Sequence, residues 1–379
     1  MCKLPSLYLL LFGAAFSPTI SAAAGPPALD HVIVVVMENH TYDQVRTASY
    51  TASLIRNYTS FSKSYALTHP SQPNYLALWA ATTQGVTNDN CPAPGSPYTD
   101  ENLGHAIQVA GKRWKAYSEN LPSAGSTACT ASSSLYTRKH DPWTNYSNCN
   151  HAWEVPYGQL ATDIAAGTLP DLAFVIPNNC DNTHDCSVST GDAWLASNLP
   201  SMISAVGPRG LVILTWDEDD KNHGNHILTV FAGPVVKTNY VSSTTITHYT
   251  LVRTICDALG IGAFANAATE SGVSDVWNTT TDVPPAVVAG ARLGEPRPNP
   301  FRGSVSATLE LEDASWIEAA IYDLEGRRVR WLVSGTRQGA VEVQWDGTRD
   351  DGGAAPGGLY FLRVEVAGAV LERRLVRVR

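Results

Sequence analysis

The chain of 379 residues is long enough for two domains and too long for a minimal module. With 44% apolar and 16% charged residues it can fill a packed core, which excludes wholesale disorder. A net charge of −9 argues against a general nucleic-acid binder, which needs clustered Lys and Arg, but leaves room for a small phosphorylated substrate held through a metal ion.

The charge is unevenly spread. From Pro284 onward 13 Arg and no Lys face 13 acidic residues, so the negative balance sits earlier. All ten His and all seven Cys precede residue 257. Acid–base, nucleophilic and metal chemistry is therefore sought in the first three quarters.

At the N-terminus, Lys3, an apolar run over 7–16 and the small residues Ile20-Ser21-Ala22-Ala23-Ala24 predict a secretory signal peptide over 1–24. A buried N-terminal helix is the plainer alternative. No other stretch reaches about 18 uninterrupted apolar residues, so the mature protein is expected to be soluble and secreted, periplasmic or at the cell surface. Cys91, Cys129, Cys149, Cys180, Cys186 and Cys256 remain after cleavage. An even number in an exported chain reads as disulfides, with fifteen pairings open and Cys180 and Cys186 near enough to close a short loop. Zinc binding is the alternative, although the spacing matches no finger.

The run His31-Val32-Ile33-Val34-Val35-Val36-Met37 predicts a strand buried on both faces, as do 171–176 and 210–216; 226–232 reads as a fourth strand. Helices are expected over 75–81, 102–110, 192–205 and 249–259. Alternation of strands and helices argues a three-layer α/β sandwich around a mostly parallel sheet, with ligands at strand C-termini.

Polar clusters sit at those ends. Glu38-Asn39 follows the first strand; the pair offers hard oxygen ligands, or a turn in which Asn39 or Thr41 caps a helix. In Thr68-His69-Pro70-Ser71-Gln72-Pro73-Asn74-Tyr75, Ser71 is either an N-cap or a hydroxyl activated at a helix N-terminus beside a metal, with Asn74 available to a phosphoryl oxygen. Asp217-Glu218-Asp219-Asp220 ends the 210–216 strand: a solvated acidic turn, or metal ligands opposite Glu38. His140 and His184 could bind phosphate or protonate a leaving group, whereas a lone His is more often structural. His223, His226 and His248 have no assigned roles.

Residues 283–300 are rich in Pro and Gly, a linker pattern. Beyond them 305–311, 316–322, 341–345 and 359–366 alternate with period two, with turns at Glu325-Gly326, Asp346-Gly347 and Asp351-Gly352-Gly353, which predicts a small β-sandwich. The expected organisation is a signal peptide (1–24), a catalytic domain (25–283), a linker (284–298) and an Ig-like sandwich (299–379).

Six segments, in order, are Val36-Met37-Glu38-Asn39-His40-Thr41-Tyr42-Asp43, His69-Pro70-Ser71-Gln72-Pro73-Asn74-Tyr75, Trp114-Lys115-Ala116-Tyr117-Ser118-Glu119-Asn120, Tyr136-x-x-Lys139-His140, Asp181-x-x-His184-Asp185 and Leu214-Thr215-Trp216-Asp217-Glu218. Together they resemble the phosphoesterase family of secreted acid phosphatases and non-haemolytic bacterial phospholipases C, within the alkaline-phosphatase-like fold. The resemblance implies a divalent metal held by Glu38, Asn39, Asp217 and Glu218, with Ser71 as nucleophile and fifth ligand. It implies His140 and His184 at the phosphoryl group, Asp181 orienting His184 or reaching the phosphoryl group through water, and Asn74 and Lys139 as further substrate contacts. Calcium, magnesium, manganese, iron and zinc all remain open as the ion, as does a second ion. Asp219-Asp220-Lys221-Asn222-His223 departs from the phospholipase branch, where glycines and a later Asp-His pair follow Asp-Glu, and so favours the acid-phosphatase branch.

Asn299-Pro300-Phe301, Ile321-Tyr322-Asp323-Leu324-Glu325-Gly326-Arg327, Trp345-Asp346-Gly347 and Gly358-Leu359-Tyr360-Phe361 resemble the Ig-like domain first named in flagellar hook-capping proteins. That resemblance implies attachment to a cell surface or to secretion machinery, with a plain stabilising domain as the alternative. The expected function is an exported, metal-dependent phosphoester hydrolase acting through a serine phosphoenzyme on a small phosphorylated substrate. The alternatives are a phosphodiesterase or phospholipase C and a non-catalytic surface-displayed binding protein.

Overall fold

The computed structural model describes residues 25–278, 287–288, 290–323, 327–366 and 369–378. The expected signal peptide, the start of the expected linker and the Glu325-Gly326 turn lie outside the described residues. Contacts divide the chain into two compact units, Met1–Thr281 and Asp282–Arg379.

The first unit is built on an eight-stranded sheet. Its strands are β1 (His31–Met37), β2 (Thr59–Phe61), β3 (Trp114–Ser118), β4 (Glu154–Pro156), β5 (Leu172–Ile176), β6 (Gly210–Trp216), β7 (Thr229–Ala232) and β8 (Tyr240–Ser242), in the order β8-β2-β7-β6-β1-β5-β3-β4. From β6 to β4 every pairing is parallel. Val32, Val34 and Val36 of β1 face one apolar core with Trp79, Trp114 and Trp143, and Ile33, Val35 and Met37 face another with Leu195, Leu199 and Met202. Two buried faces explain why β1 is an unbroken apolar run.

Helices cover both faces. α1 (Ser49–Asn57), α4 (Gln159–Ala166) and α5 (Val188–Ala205) pack on the second core, and α2 (Ser71–Ala80), α3 (Leu103–Val109) and α6 (His248–Leu259) on the first. This is the expected three-layer α/β sandwich.

The 226–232 run differs from expectation. It breaks at Leu228: His226–Ile227 pairs with Ser64–Tyr65 in a separate small sheet, and β7 joins β6 antiparallel. The segment between Trp216 and His226 holds no helix, and a parallel return needs a crossover of a dozen residues or more. α2 also begins at Ser71, four residues earlier than the apolar pattern suggests, because its first turn Ser71-Gln72-Pro73-Asn74 is buried despite being polar.

The second unit contains β9 (Ala291–Leu293), β10 (Val305–Tyr322), β11 (Arg328–Trp345), β12 (Gly358–Val366) and β13 (Ala369–Arg377), all in one antiparallel sheet. The expected strands 305–311 and 316–322 are one strand, with a register shift between Leu311 and Ser315. The first half of β10 pairs β9 and the second half pairs β12, yet Leu309 and Ile321 share one core with Trp345 and Leu362. The all-β domain is thus a single sheet curled around its core, and the irregularity replaces the expected strand break.

Candidate active site

The site grows from the C-terminal edge of two adjacent strands. Met37 of β1 is in register with Trp216 of β6, so Glu38 and Asp217 leave the sheet side by side. Asn39 then turns the chain with φ of 43°, and Thr41 caps the short Tyr42–Val45 helix through a capping box with Gln44. That leaves Asn39 free of capping.

Ser71 is the first residue of α2, and the N-cap is Pro70, which has no side-chain cap bond. The capping alternative for Ser71 is therefore excluded. Its hydroxyl instead donates toward Glu38 Oε2 at 3.1 Å and Glu218 Oε1 at 3.4 Å. The Tyr75 hydroxyl, one turn along α2, donates to Glu38 Oε1. His140 Nε2 lies 3.0 Å from the same oxygen, but off the direction of a hydrogen bond, and its ring stacks on Tyr75 at 4.8 Å. The His140 and His184 rings are 6.4 Å apart.

Glu38, Asp217 and Glu218 are all buried. Burial and the neighbouring Asp217 push the Glu38 carboxyl up to about 8. Burial and Glu38 push Glu218 up to about 8, and burial with Glu218 raises Asp217 well above the usual range. Three carboxyl groups thus crowd one dry volume, each resisting the others' ionisation. Asp217 Oδ2 has no donor. The Asn39 side-chain oxygen faces Glu38 Oε2 at 2.9 Å and Asp217 Oδ1 at 3.2 Å, acceptor against acceptor unless the amide is turned over. Three carboxyl groups gathered beside the Ser71 hydroxyl and the Asn39 amide are the oxygen ligand types that a hard divalent cation takes. Lys139 is the nearby fixed cation; its ammonium is held 3.1 Å from Asp89 Oδ2.

Other expected residues fall differently. Asn74 is buried with both ends of its amide spent: Oδ1 accepts from Leu67 and Thr68 amides, and Nδ2 donates to the Thr68 and Pro70 carbonyls. It shapes the turn into α2 and offers nothing to a phosphoryl oxygen. Asp181 does not orient His184; it accepts from Asn178 Nδ2, while Asp185 Oδ1 lies 2.6 Å from His184 Nδ1. The side chain next in sequence reaches the ring more easily than one three residues back.

His226 stacks on Tyr42 and contacts the Ser62 carbonyl, and His248 Nε2 contacts the Asp217 carbonyl at 2.7 Å, so both support the frame. Asp219, Asp220 and His223 cluster closely, but the Asp219 oxygens already accept the Lys221, His223 and Asn225 amides.

The disulfides are Cys91–Cys129 and Cys180–Cys186. Cys149 and Cys256 remain free, which corrects the reading of all six as bridged. Asp89, Tyr75, His69 and Asp185 were not assigned from sequence. Asp89 lies in Asn88-Asp89-Asn90, a polar run that reads as an ordinary loop. Tyr75 and His69 flank Ser71 in its own motif, which was the available signal.

The α/β sandwich gathers three carboxylates and a helix-terminal serine at one strand edge, and its family and relatives make the protein a phosphoric ester hydrolase. Residues 44–262 match the Phosphoesterase family, and residues 298–369 match the FlgD Ig-like domain. The chain is 36% identical over 260 residues to the phosphatidylinositol-3-phosphatase of Mycobacterium tuberculosis, spanning 68% of this chain and 85% of that protein. It is 28% identical to an acid phosphatase of Aspergillus fumigatus over 68% of this chain and 62% of that protein. A solved alkaline phosphatase superfamily protein from Vibrio parahaemolyticus aligns with a TM-score of 0.48 and 11% identity, over 87% of this chain and 84% of that one. The chain belongs to the Phosphoesterase family.

Proposed function

We propose that the protein is an exported, metal-dependent phosphomonoester hydrolase of the acid-phosphatase type that works through a phosphoserine at Ser71. The observation that carries this reading is the Ser71 hydroxyl at the N-terminus of α2, 3.1 Å from Glu38 and 3.4 Å from Glu218. Glu38, Asn39, Asp217 and Glu218 would hold the divalent ion with Ser71. When bound, that ion offsets the carboxylate charge, favours the ionised serine oxygen and draws negative charge off the phosphoryl oxygens.

The residues divide the remaining work. Ser71 Oγ, its proton released to solvent, attacks phosphorus in line with the ester oxygen, whose bond to phosphorus breaks. The α2 N-terminus favours the anionic group that gathers there. Asp185 engages His184 Nδ1, which leaves Nε2 to protonate the departing oxygen. A water then attacks the phosphoserine and gives a proton back to His184; Ser71 Oγ leaves with its own proton restored, and inorganic phosphate departs. Burial, Lys139 and His184 hold His140 well below its ordinary range, so it stays neutral and acts as a hydrogen-bonding contact rather than an acid.

The names of the mycobacterial and fungal relatives support a monoester over a diester. Residues 1–24 as an export signal, 25–283 as the hydrolase, 284–298 as a linker and 299–379 as an attachment or sorting module complete the reading, supported by two disulfides and the Ig-like match. Acid quenching during turnover of p-nitrophenyl phosphate, followed by peptide mass analysis, should find phosphate on Ser71. Ser71→Ala should abolish turnover with the fold intact; wild-type turnover in that variant would refute the nucleophile.

A further inference from the structure

The outer face of the C-terminal sheet carries side chains that its core does not use. On β10 the alternate residues Ile317, Ala319 and Ile321 fill the core, so Trp316, Glu318 and Tyr322 point away from it. Trp316 is 59% exposed and Trp331 on β11 is 37% exposed. They are the aromatic members among the exposed large hydrophobic side chains of the described residues. Trp331 lies opposite Ala320, Glu318 opposite Glu365, and Arg363 opposite Glu372. A groove of 430 Å³ results, lined by Glu318, Tyr322, Trp331, Arg363, Glu365 and Glu372.

Two features of this groove are costs to the fold alone. Large aromatic surface is left in water. Glu318 and Glu365 face each other across neighbouring strands, where like charges destabilise, and neither is in an ion pair among the described residues. The Arg363 guanidinium lies 5.0 Å from the Tyr322 ring centre, and Arg328 lies 5.1 Å from that of Trp331. Arg363 is also ion-paired with Glu372, and Arg328 lies outside the groove beside Asp350. The groove therefore offers two flat rings, the carboxylates of Glu318 and Glu365, and one guanidinium–carboxylate pair.

That mixture selects its occupant. A cation would meet the Arg363 guanidinium already seated on the Tyr322 ring. An anion would meet three carboxylates. An apolar helix would bury Glu318 and Glu365 without partners, which costs more than it gains. A neutral polyhydroxylated ligand suits all three elements: its C–H faces stack on the rings, its hydroxyls donate to the carboxylates, and its oxygens accept from arginine. We propose that this face of the C-terminal unit binds neutral polysaccharide, so that the hydrolase is tethered to a glycan matrix independently of its chemistry.

The test uses the full chain against cellulose, chitin, xylan and mannan, read by retention on the insoluble polymers and by tryptophan fluorescence with the soluble ones. Saturable binding to at least one is expected. Trp331→Ala and Tyr322→Ala should each weaken it by roughly tenfold, about the loss of one good contact, while p-nitrophenyl phosphate turnover stays unchanged. Glu365→Gln, which keeps the shape, should also weaken it. Binding to none of the four, binding indifferent to all three substitutions, or quenching by polylysine in place of the glycans would overturn the proposal.

Discussion

Asp89 joins Lys139 to the helix that bears Ser71. Its Oδ1 accepts the Gln72 backbone amide at 2.9 Å and its Oδ2 accepts the Lys139 ammonium at 3.1 Å. Gln72 returns two bonds to the same segment, through the Asn88 and Asn90 carbonyls. The next residue, Cys91, is bridged to Cys129 on the way to His140. One carboxylate thus fixes the serine and histidine segments relative to each other.

Asp89→Asn keeps the shape but removes the charge that holds Lys139. Turnover should fall by about tenfold or more, the usual cost of losing a partner that orients a site, with little change in the thermal midpoint. Steady-state kinetics beside calorimetry checks this; a lowered midpoint with unchanged turnover would make Asp89 a purely structural residue.

Tyr75→Phe removes the donor to Glu38 Oε1 while keeping the ring that stacks on His140. Metal affinity should drop by roughly 10–100-fold. Titration of the chelator-treated protein with manganese measures it, and an unchanged affinity would show that Glu38 needs no orienting donor.

Metal binding should release protons below about pH 8. Glu38 and Glu218 are both pushed up to about 8, so without a cation they hold protons that the ion must displace. Affinity should therefore fall as pH falls from 8 toward 5, and chelation should lower both turnover and the thermal midpoint. Calorimetric titrations in buffers of different ionisation enthalpy count the protons; a count of zero at pH 6 would contradict the crowded-carboxylate picture.

Asp141 and Glu154 form a second buried acid pair behind His140. Ser118 donates to Asp141 Oδ1 at 2.8 Å, while Asp141 Oδ2 and both Glu154 oxygens find no aligned donor. Burial pushes Asp141 up to about 6 and raises Glu154 well above its ordinary range, with Asp141 adding to the shift. A carboxyl group raised on folding holds its proton more tightly in the native state. Its contribution is full below the unfolded value near 4 and is lost as pH rises through about 6. Stability from this pair should decline over that interval, and Glu154→Gln should flatten the decline. Thermal midpoints from pH 4 to 7 test it; parallel curves for the two proteins would remove the pair from the account.

Much of the architecture was legible because periodicity is a local property. β1 and β6 appear at their observed bounds, since strands buried on both faces must be apolar throughout. β2, β4 and β8, each three residues long, carry no period to detect. The direction of β7 depends on what lies across the sheet, which local pattern does not record. Glu38, Ser71, Asp217 and Glu218 were legible as candidates through the order of their motifs. The spent amide of Asn74, the Asp185 contact to His184 and the clamp at Asp89 were not, because a polar side chain in a turn looks the same whether it meets substrate or backbone.

The amino-acid order by itself determined which residues could carry chemistry, the alternation of strands with helices, and the change to period two beyond residue 300. The tertiary structure alone decided that residues 38 and 218, far from residue 71 in the chain, place oxygens 3.1 and 3.4 Å from its hydroxyl. It also decided that two of six cysteines stay free and that the C-terminal strands form one curled sheet. The physical reason is range: propensity and burial period act over a few residues, whereas charge crowding, hydrogen-bond competition and bridge geometry act between segments that only folding brings together.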